Sequence, residues 1–198
     1  DFIEVRGTVA QKQASSVVPS APGFYAVTDI LGEQTYAEVN SMGTLRLSNR
    51  DMVISYSLYA DSHKRVLDKP PMGEIDLHIP VEEKKVIAEL ADQLGLRSMQ
   101  DPSEVIATLQ TYFYRNFEYS TQFAAGDIDR ERSKIEWFLN DLKRGHCEYY
   151  ATAGVLLLRE VGIPARYAIG YAVSERGSGC WNVRGTNGHA WTRAHIDG

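Results

Sequence analysis

Cysteine is scarce in this chain: of 198 residues only Cys147 and Cys180 carry a thiol. Two thiols cannot build a disulfide framework; they allow one bridge or two free groups. Long apolar runs are missing as well. Nowhere do 18 apolar residues follow one another, so no stretch of the sequence reads as a membrane span. There is no basic excess. The net charge is -5, with 7 basic against 10 acidic residues before Pro80 and 14 against 16 from there on. A nucleic-acid partner is excluded on that ground. Internal repeats are absent, and so are the spaced ligand pairs of a zinc site. A set made from His146, Cys147, Cys180 and His189 has no C-x-x-C or H-x-x-x-H anchor, and His63, His78 and His195 have no ligand-like spacing. No metal and no cofactor is expected.

What is there is ordinary globular composition: 43% hydrophobic, 24% charged, 10% aromatic, with a mean hydropathy of -0.30. The length suffices for one good-sized domain or two small ones with a proper core. Residue 1 is Asp and no charged-then-apolar leader follows, so the sequence reads as a piece of a longer protein.

Residues 1–79 have the texture of a β-rich domain. In Met52–Tyr59, Ile54, Tyr56 and Leu58 alternate with Ser55 and Ser57, the period of a half-buried strand. Thr35–Val39 and Thr44–Leu47 flank Ser41-Met42-Gly43 as the arms of a hairpin, and Ser15–Gly23, rich in Ser and Pro, reads as a loop. Lys69-Pro70-Pro71-Met72-Gly73 marks a break. From Pro80 the period turns helical. Val86, Ile87, Leu90, Ala91 and Leu94 line one face before Gly95. Asp101-Pro102-Ser103-Glu104 predicts a capped helix start, with Val105, Ile106, Leu109, Tyr112 and Phe113 as its apolar face. A third helix carries Ile135, Phe138, Leu139 and Leu142, and a fourth spans Cys147 to Val161 before Gly162-Ile163-Pro164. Strands return over 166–173 and 189–196, joined by a glycine-rich loop, and Asp197-Gly198 predicts a two-residue hairpin turn.

Chemistry is suggested at two points. Gly145-His146-Cys147-Glu148-Tyr149-Tyr150-Ala151 sets a cysteine in the first turn of a mostly apolar helix, where free N–H groups and the helix dipole favour a thiolate. The plainer reading is a small buried hydrophobe. His189 opens the last strand as Gly188-His189-Ala190-Trp191, 42 positions on, and a nucleophilic cysteine needs such a base.

Gly145-x-Cys147-x-x-x-Ala151, Leu157-Leu158-Arg159-x-x-Gly162-Ile163-Pro164-Ala165-Arg166, Gly170-Tyr171 and His189-Ala190-Trp191 together resemble the transglutaminase-like superfamily. Within it the likeness is to the bacterial branch labelled as cysteine proteases or transglutaminase-like domains. The resemblance covers about 80–198, with Tyr119-Ser120 and Phe138-Leu139 also in place. It implies an α+β fold: a papain-like core in which a helix-borne Cys packs on an antiparallel sheet carrying the His. It implies that Cys147 is the nucleophile and His189 its base, acting on peptide or protein amides through a thioester. Animal members add a Trp indole to the oxyanion hole; no Trp stands there in this chain, and Tyr119 is the nearest candidate. Cys180 and Trp181, ahead of His189, are candidates for the cleft border. Arg166 is expected to tie strand to helix, Trp191 to lie in the core, and His146 on the rim. Calcium, held by some animal members, has no acid-rich loop here, since Asp127-Ile128-Asp129 is short.

The family's third residue is an acid on the strand after the His strand. With Asp197-Gly198 as a two-residue turn, His189 faces position 206. Asp197 itself would lie roughly 26 Å from His189 along the strand, so the acid is expected beyond Gly198 and the core is expected to be truncated there. The expected domains are a β-rich 1–79 and a transglutaminase-like 80–198. The expected function is thiol-dependent acyl transfer or hydrolysis; the alternative is a non-catalytic peptide-binding or scaffolding domain. Bacterial relatives carry such domains outside the cytoplasm on membrane helices, which implies the same place and attachment here, with a peptide or protein as substrate.

Overall fold

The computed structural model describes residues 2–10, 15–21, 24–31, 36–40, 42–48, 53–61, 63, 71, 73–122 and 132–196. The chain divides into two compact units, Asp1–Lys69 and Pro70–Gly198. Among the described residues no helix is long and apolar enough to cross a membrane.

The first unit is built of strands β1 (Phe2–Ala10), β2 (Ser15–Val17), β3 (Phe24–Leu31), β4 (Tyr36–Val39), β5 (Leu45–Ser48) and β6 (Val53–Asp61). They form two antiparallel sheets, ordered β1-β6-β3 and β2-β5-β4. The alternation in β6 has its expected result: Ile54, Tyr56 and Leu58 are buried, with Leu45, Leu47 and Val18 against them. Tyr56 is large enough to need room made for it. A Cβ on Gly7, its register partner in β1, would fall 2.4 Å from the ring, and its hydroxyl donates to the Pro19 carbonyl at 2.8 Å. The hairpin β4–β5 turns on Asn40, whose side chain accepts from the N–H groups of Met42 and Thr44. One expectation is corrected: Ser15–Val17 is a strand, not a loop. Pairing with β5 satisfies its backbone and delivers Val18 to the core, which local Ser and Pro content does not reveal. Met52, Ser41 and Thr35 lie outside the described residues.

The second unit begins with a 3₁₀ turn at Gly73–Leu77 and continues through α1 (Lys84–Gln93), α2 (Pro102–Asn116), β7 (Glu118–Tyr119), α3 (Lys134–Trp137), β8 (Arg144–Gly145), α4 (Cys147–Glu160), β9 (Ala165–Tyr171), β10 (Glu175–Arg176), β11 (Trp181–Asn182) and β12 (Gly188–Ala194). The caps follow from the sequence. Asp101 accepts from the Ser103 N–H at 2.8 Å with Pro102 at the first position of α2, and Ser133 accepts from the Glu136 N–H at the start of α3. Beyond α3 the helix widens into a π turn, Phe138–Leu142, and ends on Lys143 in the left-handed region at φ 53°.

Helix α4 is the centre of this unit. Ala151, Ala153, Val155, Leu156, Leu157 and Leu158 are all buried, so the helix is apolar nearly all round. Helices α1, α2 and α3 pack on it, and β9 and β12 cover it as an antiparallel pair. Helix α4, expected over Cys147 to Val161, and the strands expected over 166–173 and 189–196 are observed as Cys147–Glu160, Ala165–Tyr171 and Gly188–Ala194, each bound within two residues. The α+β arrangement therefore has a helical core with a two-stranded sheet laid on one side of the cysteine helix.

Candidate active site

Cys147 is the first residue of α4, with His146 as N-cap in an extended conformation and no side-chain cap on the helix. What brings Cys147 to the surface is a short parallel ladder. The π turn and the left-handed Lys143 send the chain into β8, which pairs with β7 so that Tyr119 stands opposite Gly145. Glu118 donates its N–H to the Lys143 carbonyl and Ser120 to the Gly145 carbonyl, both at 2.9 Å. The motif glycine has a steric reason. A Cβ on Gly145 would lie 3.0 Å from the Phe138 ring and 3.1 Å from the Tyr149 ring.

The ladder sets the Tyr119 phenol on the nucleophile candidate. The phenol stands close enough to Cys147 for the charge of that residue to bear on it. The phenol is held above its ordinary range, first by partial burial of its hydroxyl end, then by the charge and hydrogen bond of Cys147; the N–H works the other way. The rest of the ring is open and stacks on Tyr150, with centroids 6.2 Å apart. Tyr150 is itself raised, by burial and then by the charges of Glu118 and Tyr119. Tyr167, from β9, is raised by burial, then by Glu148 and Cys147.

His189 reaches this end of the unit through topology. Gly162, at φ +81°, turns α4 tightly into β9, and β12 runs back antiparallel to β9, hence parallel to α4. The His195 N–H bonds to the Pro164 carbonyl at 2.8 Å, which places the end of β12 beside the end of α4. The two elements touch at Gly154 and Thr192. Thr192 donates to the Ala151 carbonyl at 3.0 Å, and a Cβ on Gly154 would fall 2.6 Å from the Thr192 hydroxyl. Counting back from that contact, Cys147 lies about 10 Å up the helix and His189 about 10 Å up the strand. The two residues are level. Along β12, Ala190 is buried and Thr192 faces α4, so alternation turns His189 to the other, exposed side of the strand, shared with Trp191; it is level with Cys147 but makes no hydrogen bond to it among the described residues.

Other expected residues find their places. Cys147 and Cys180 are both free thiols, Cys180 exposed. Cys180 and Trp181 belong to the loop before His189, which is organised: β10 pairs with β11, and Glu175 takes hydrogen bonds from Arg184 and Asn182. Those Arg184 bonds pull the Glu175 carboxyl down to about 2. Trp181 is exposed and carries Arg176 over its ring at 5.9 Å. His146 sits edge-on to Tyr149, centroids 5.0 Å apart, with Glu148 Oε2 3.9 Å from its Nδ1.

Arg166 ties its strand to the 3₁₀ helix: it makes two hydrogen bonds, 2.9 and 2.7 Å, to Asp76, whose carboxylate is buried there. Arg159 makes a second tie, from α4 to the Ala165 carbonyl and to the His78 carbonyl. One expectation is corrected. Trp191 is not core. It is 39% exposed and lies across Gly170, where a Cβ would fall 2.7 Å from its ring. The motif Gly170 is thereby explained as the seat of Trp191. Asp127, Asp129 and Asp197 lie outside the described residues. Among the described residues no three His, Cys, Asp or Glu side chains converge as a metal site.

The pattern of the transglutaminase-like superfamily matches residues 89–198, more than half of the chain and the whole of this site. The chain belongs to that superfamily. Over 100 residues it is 33% identical to a protein-glutamine gamma-glutamyltransferase of Pseudomonas aeruginosa, covering 50% of this chain and 14% of that protein. Over 120 residues it is 27% identical to the uncharacterized protein YebA of Bacillus subtilis, covering 56% of this chain and 16% of that one. The matched segment is thus about a seventh of the length of these relatives. In fold, the chain is similar to the periplasmic domain of TgpA from Pseudomonas aeruginosa bound to ethylmercury. The TM-score is 0.60 at 24% identity, over 98% of this chain and 70% of that one. A second structure of the TgpA domain gives 0.61 at 23% identity, over 97% and 65%. Tyr167, whose phenol feels the charge of Cys147, was not singled out from the sequence. Tyr167 could have been found from the alternation of β9, which gives it the face of β9 that carries Ala165.

Proposed function

We propose that this domain catalyses thiol-dependent acyl transfer on protein amides, with Cys147 as nucleophile, His189 as base and Tyr119 as oxyanion donor. What supports the reading is a cysteine at the uncapped first turn of α4 with Tyr119 held beside it, opposite Gly145, by the β7–β8 ladder. A bare thiol at a helix start has no need of such a partner, whereas a sulfur that must alternate between anion and thioester does. The thiolate attacks the amide carbon, the C–S bond forms, and the carbonyl π pair moves to oxygen. The Cys147 N–H and the Tyr119 O–H would donate to that oxyanion. On collapse the amide nitrogen takes the proton of the His189 imidazolium as the C–N bond breaks, so ammonia leaves and a thioester remains. An amine or water then attacks and returns the thiolate. Cys180 and Trp181 stand on the loop that would border the cleft. The glutamyltransferase relative supports a glutamine side chain as donor and an amine as acceptor, and the periplasmic relative supports a place outside the cytoplasm. The third residue is proposed to be an acid beyond Gly198.

The test follows ammonia release and amine incorporation with a glutamine-containing peptide and a primary amine. Cys147→Ala is expected to abolish both. His189→Ala is expected to lower the rate at least a hundredfold. For Tyr119→Phe the expected loss is about 10²-fold, the usual effect of removing one oxyanion donor. Ammonia release that survives Cys147→Ala would sink the reading and leave a peptide-binding role.

A further inference from the structure

The β7–β8 ladder anchors Tyr119 at its backbone, but two paired residues fix a Cα and leave the side-chain torsions free. The residue is 58% exposed, so the fold does not enclose its ring. A second ring meets it instead. Tyr150 lies nearly parallel to Tyr119, with 22° between the planes and 6.2 Å between centroids, the spacing of an offset stack. Tyr150 stands on α4 one turn after Cys147, at the i+3 position, and so on the same face of the helix. Helical side chains lean toward the N-terminus of their helix, which inclines Tyr150 toward the turn that carries Cys147. A ring stacked on Tyr150 is therefore laid along the start of α4.

Tyr150 is itself wedged. Its ring meets Phe138 at 5.2 Å and Phe113 at 5.6 Å between centroids, both edge to face, and Phe117 at 6.2 Å. Phe138 is fully buried and opens the π turn that leads into β8. Gly145, the register partner of Tyr119, sits against that same Phe138 ring. The ladder that carries Tyr119 and the ring that steadies it thus share one base.

We propose that Tyr150 is a positioning residue of this site: its ring holds the Tyr119 phenol along the first turn of α4, where it can donate to an oxyanion formed at Cys147. The inference rests on Tyr119 being the oxyanion donor, and it adds the side chain that fixes the donor in place. The position needs a ring. A flat face sets the tilt of the phenol, which a flexible thioether of similar bulk does not. Displacing a group at a reacting centre by about 1 Å can cost on the order of 10²-fold in rate, so the contact is expected to act on kcat and not on KM.

The experiment compares Tyr150→Met, Tyr150→Leu and the conservative Tyr150→Phe, each in the unmodified chain and in the Tyr119→Phe chain. Ammonia release from a glutamine-containing peptide, with a primary amine present, separates kcat from KM. Tyr150→Met and Tyr150→Leu are expected to lower kcat about tenfold at unchanged KM, part of the roughly 10²-fold that one oxyanion donor supplies, and Tyr150→Phe is expected to restore it. In the Tyr119→Phe chain the same changes are expected to cost less than about twofold, because no donor is left to misplace. Equal losses in both chains, a loss carried by KM, or a Tyr150→Phe chain as slow as Tyr150→Met would overturn the proposal. Tyrosine-selective ring NMR on the Cys147→Ala chain needs neither turnover nor a Tyr150 variant that folds: cross-relaxation between the Tyr119 and Tyr150 rings is expected, and its absence would overturn the stack. Cross-relaxation in a chain whose ammonia release is nil, or survives Cys147→Ala, would leave the stack standing and overturn the catalytic reading. Release that depends on Cys147 and Tyr119 but is indifferent to Tyr150 would do the reverse.

Discussion

Gly154→Ala tests how the nucleophile helix and the histidine strand are held level. In an exposed helix this change is favourable by about 1 kcal/mol, because Ala loses less backbone freedom than Gly. Here the new methyl would stand 2.6 Å from the Thr192 hydroxyl and 3.6 Å from its Cβ. That hydroxyl is itself bonded to the Ala151 carbonyl, so it cannot turn aside without losing a hydrogen bond. Overpacking a site of this kind costs about 1–3 kcal/mol, and the lost bond about 1 kcal/mol more. Set against the propensity gain, the expected outcome is a net loss of about 2 kcal/mol. For a chain of this size that lowers Tm by about 4–8 °C. The assay is thermal unfolding followed by far-UV circular dichroism, with the double variant Gly154→Ala, Thr192→Ala beside it. Removing the threonine oxygen clears the clash, so the double variant should regain most of the loss. A single variant as stable as the parent, or more stable, would refute the reasoning, since propensity alone would then account for the position.

Asp76→Ala leaves the Arg166 guanidinium buried without its carboxylate and is expected to destabilise the fold by about 3 kcal/mol in urea unfolding, with Arg166→Met restoring part of it. Glu83 is buried beside Ser133, and its carboxyl is raised above its ordinary range, first by burial, with Glu82 and Glu136 adding to it against the Ser133 hydrogen bond. The folded state thus favours the protonated acid, and the stability it contributes at low pH is lost as pH rises through the raised value. Glu83→Gln should flatten that decline above the ordinary carboxylate range; an unchanged slope in urea midpoints would count against it. Cys147→Ala should bring the Tyr119 titration down toward an ordinary phenol without reaching it, because burial remains. Tyrosine-selective NMR reads that shift, and no movement would mean that Cys147 does not touch the phenol.

Much of this fold is legible locally. The stripe Val86, Ile87, Leu90 and Ala91, the Asp101-Pro102 start and the alternation Ile54, Tyr56, Leu58 each state a period or a cap within a few residues, and the chain obeys them. Cysteine at a helix start and histidine at a strand start were legible in the same way, as was membership of a superfamily whose pattern spans the site. Tertiary structure decided the rest. Only the β7–β8 ladder, joining segments 26 residues apart, turns Tyr119 from a residue near the motif into the partner of Cys147. Asp76 and Arg166 meet across 90 residues, and nothing local to either announces the other. Trp191 illustrates the same limit from the other side. Its parity along the strand was plain, but whether that face is core depends on what covers it, and here it lies partly open across Gly170. Periodicity tells a residue which side of its own element it occupies. Which element meets that side is a matter of packing between distant segments, and that is where the site is made.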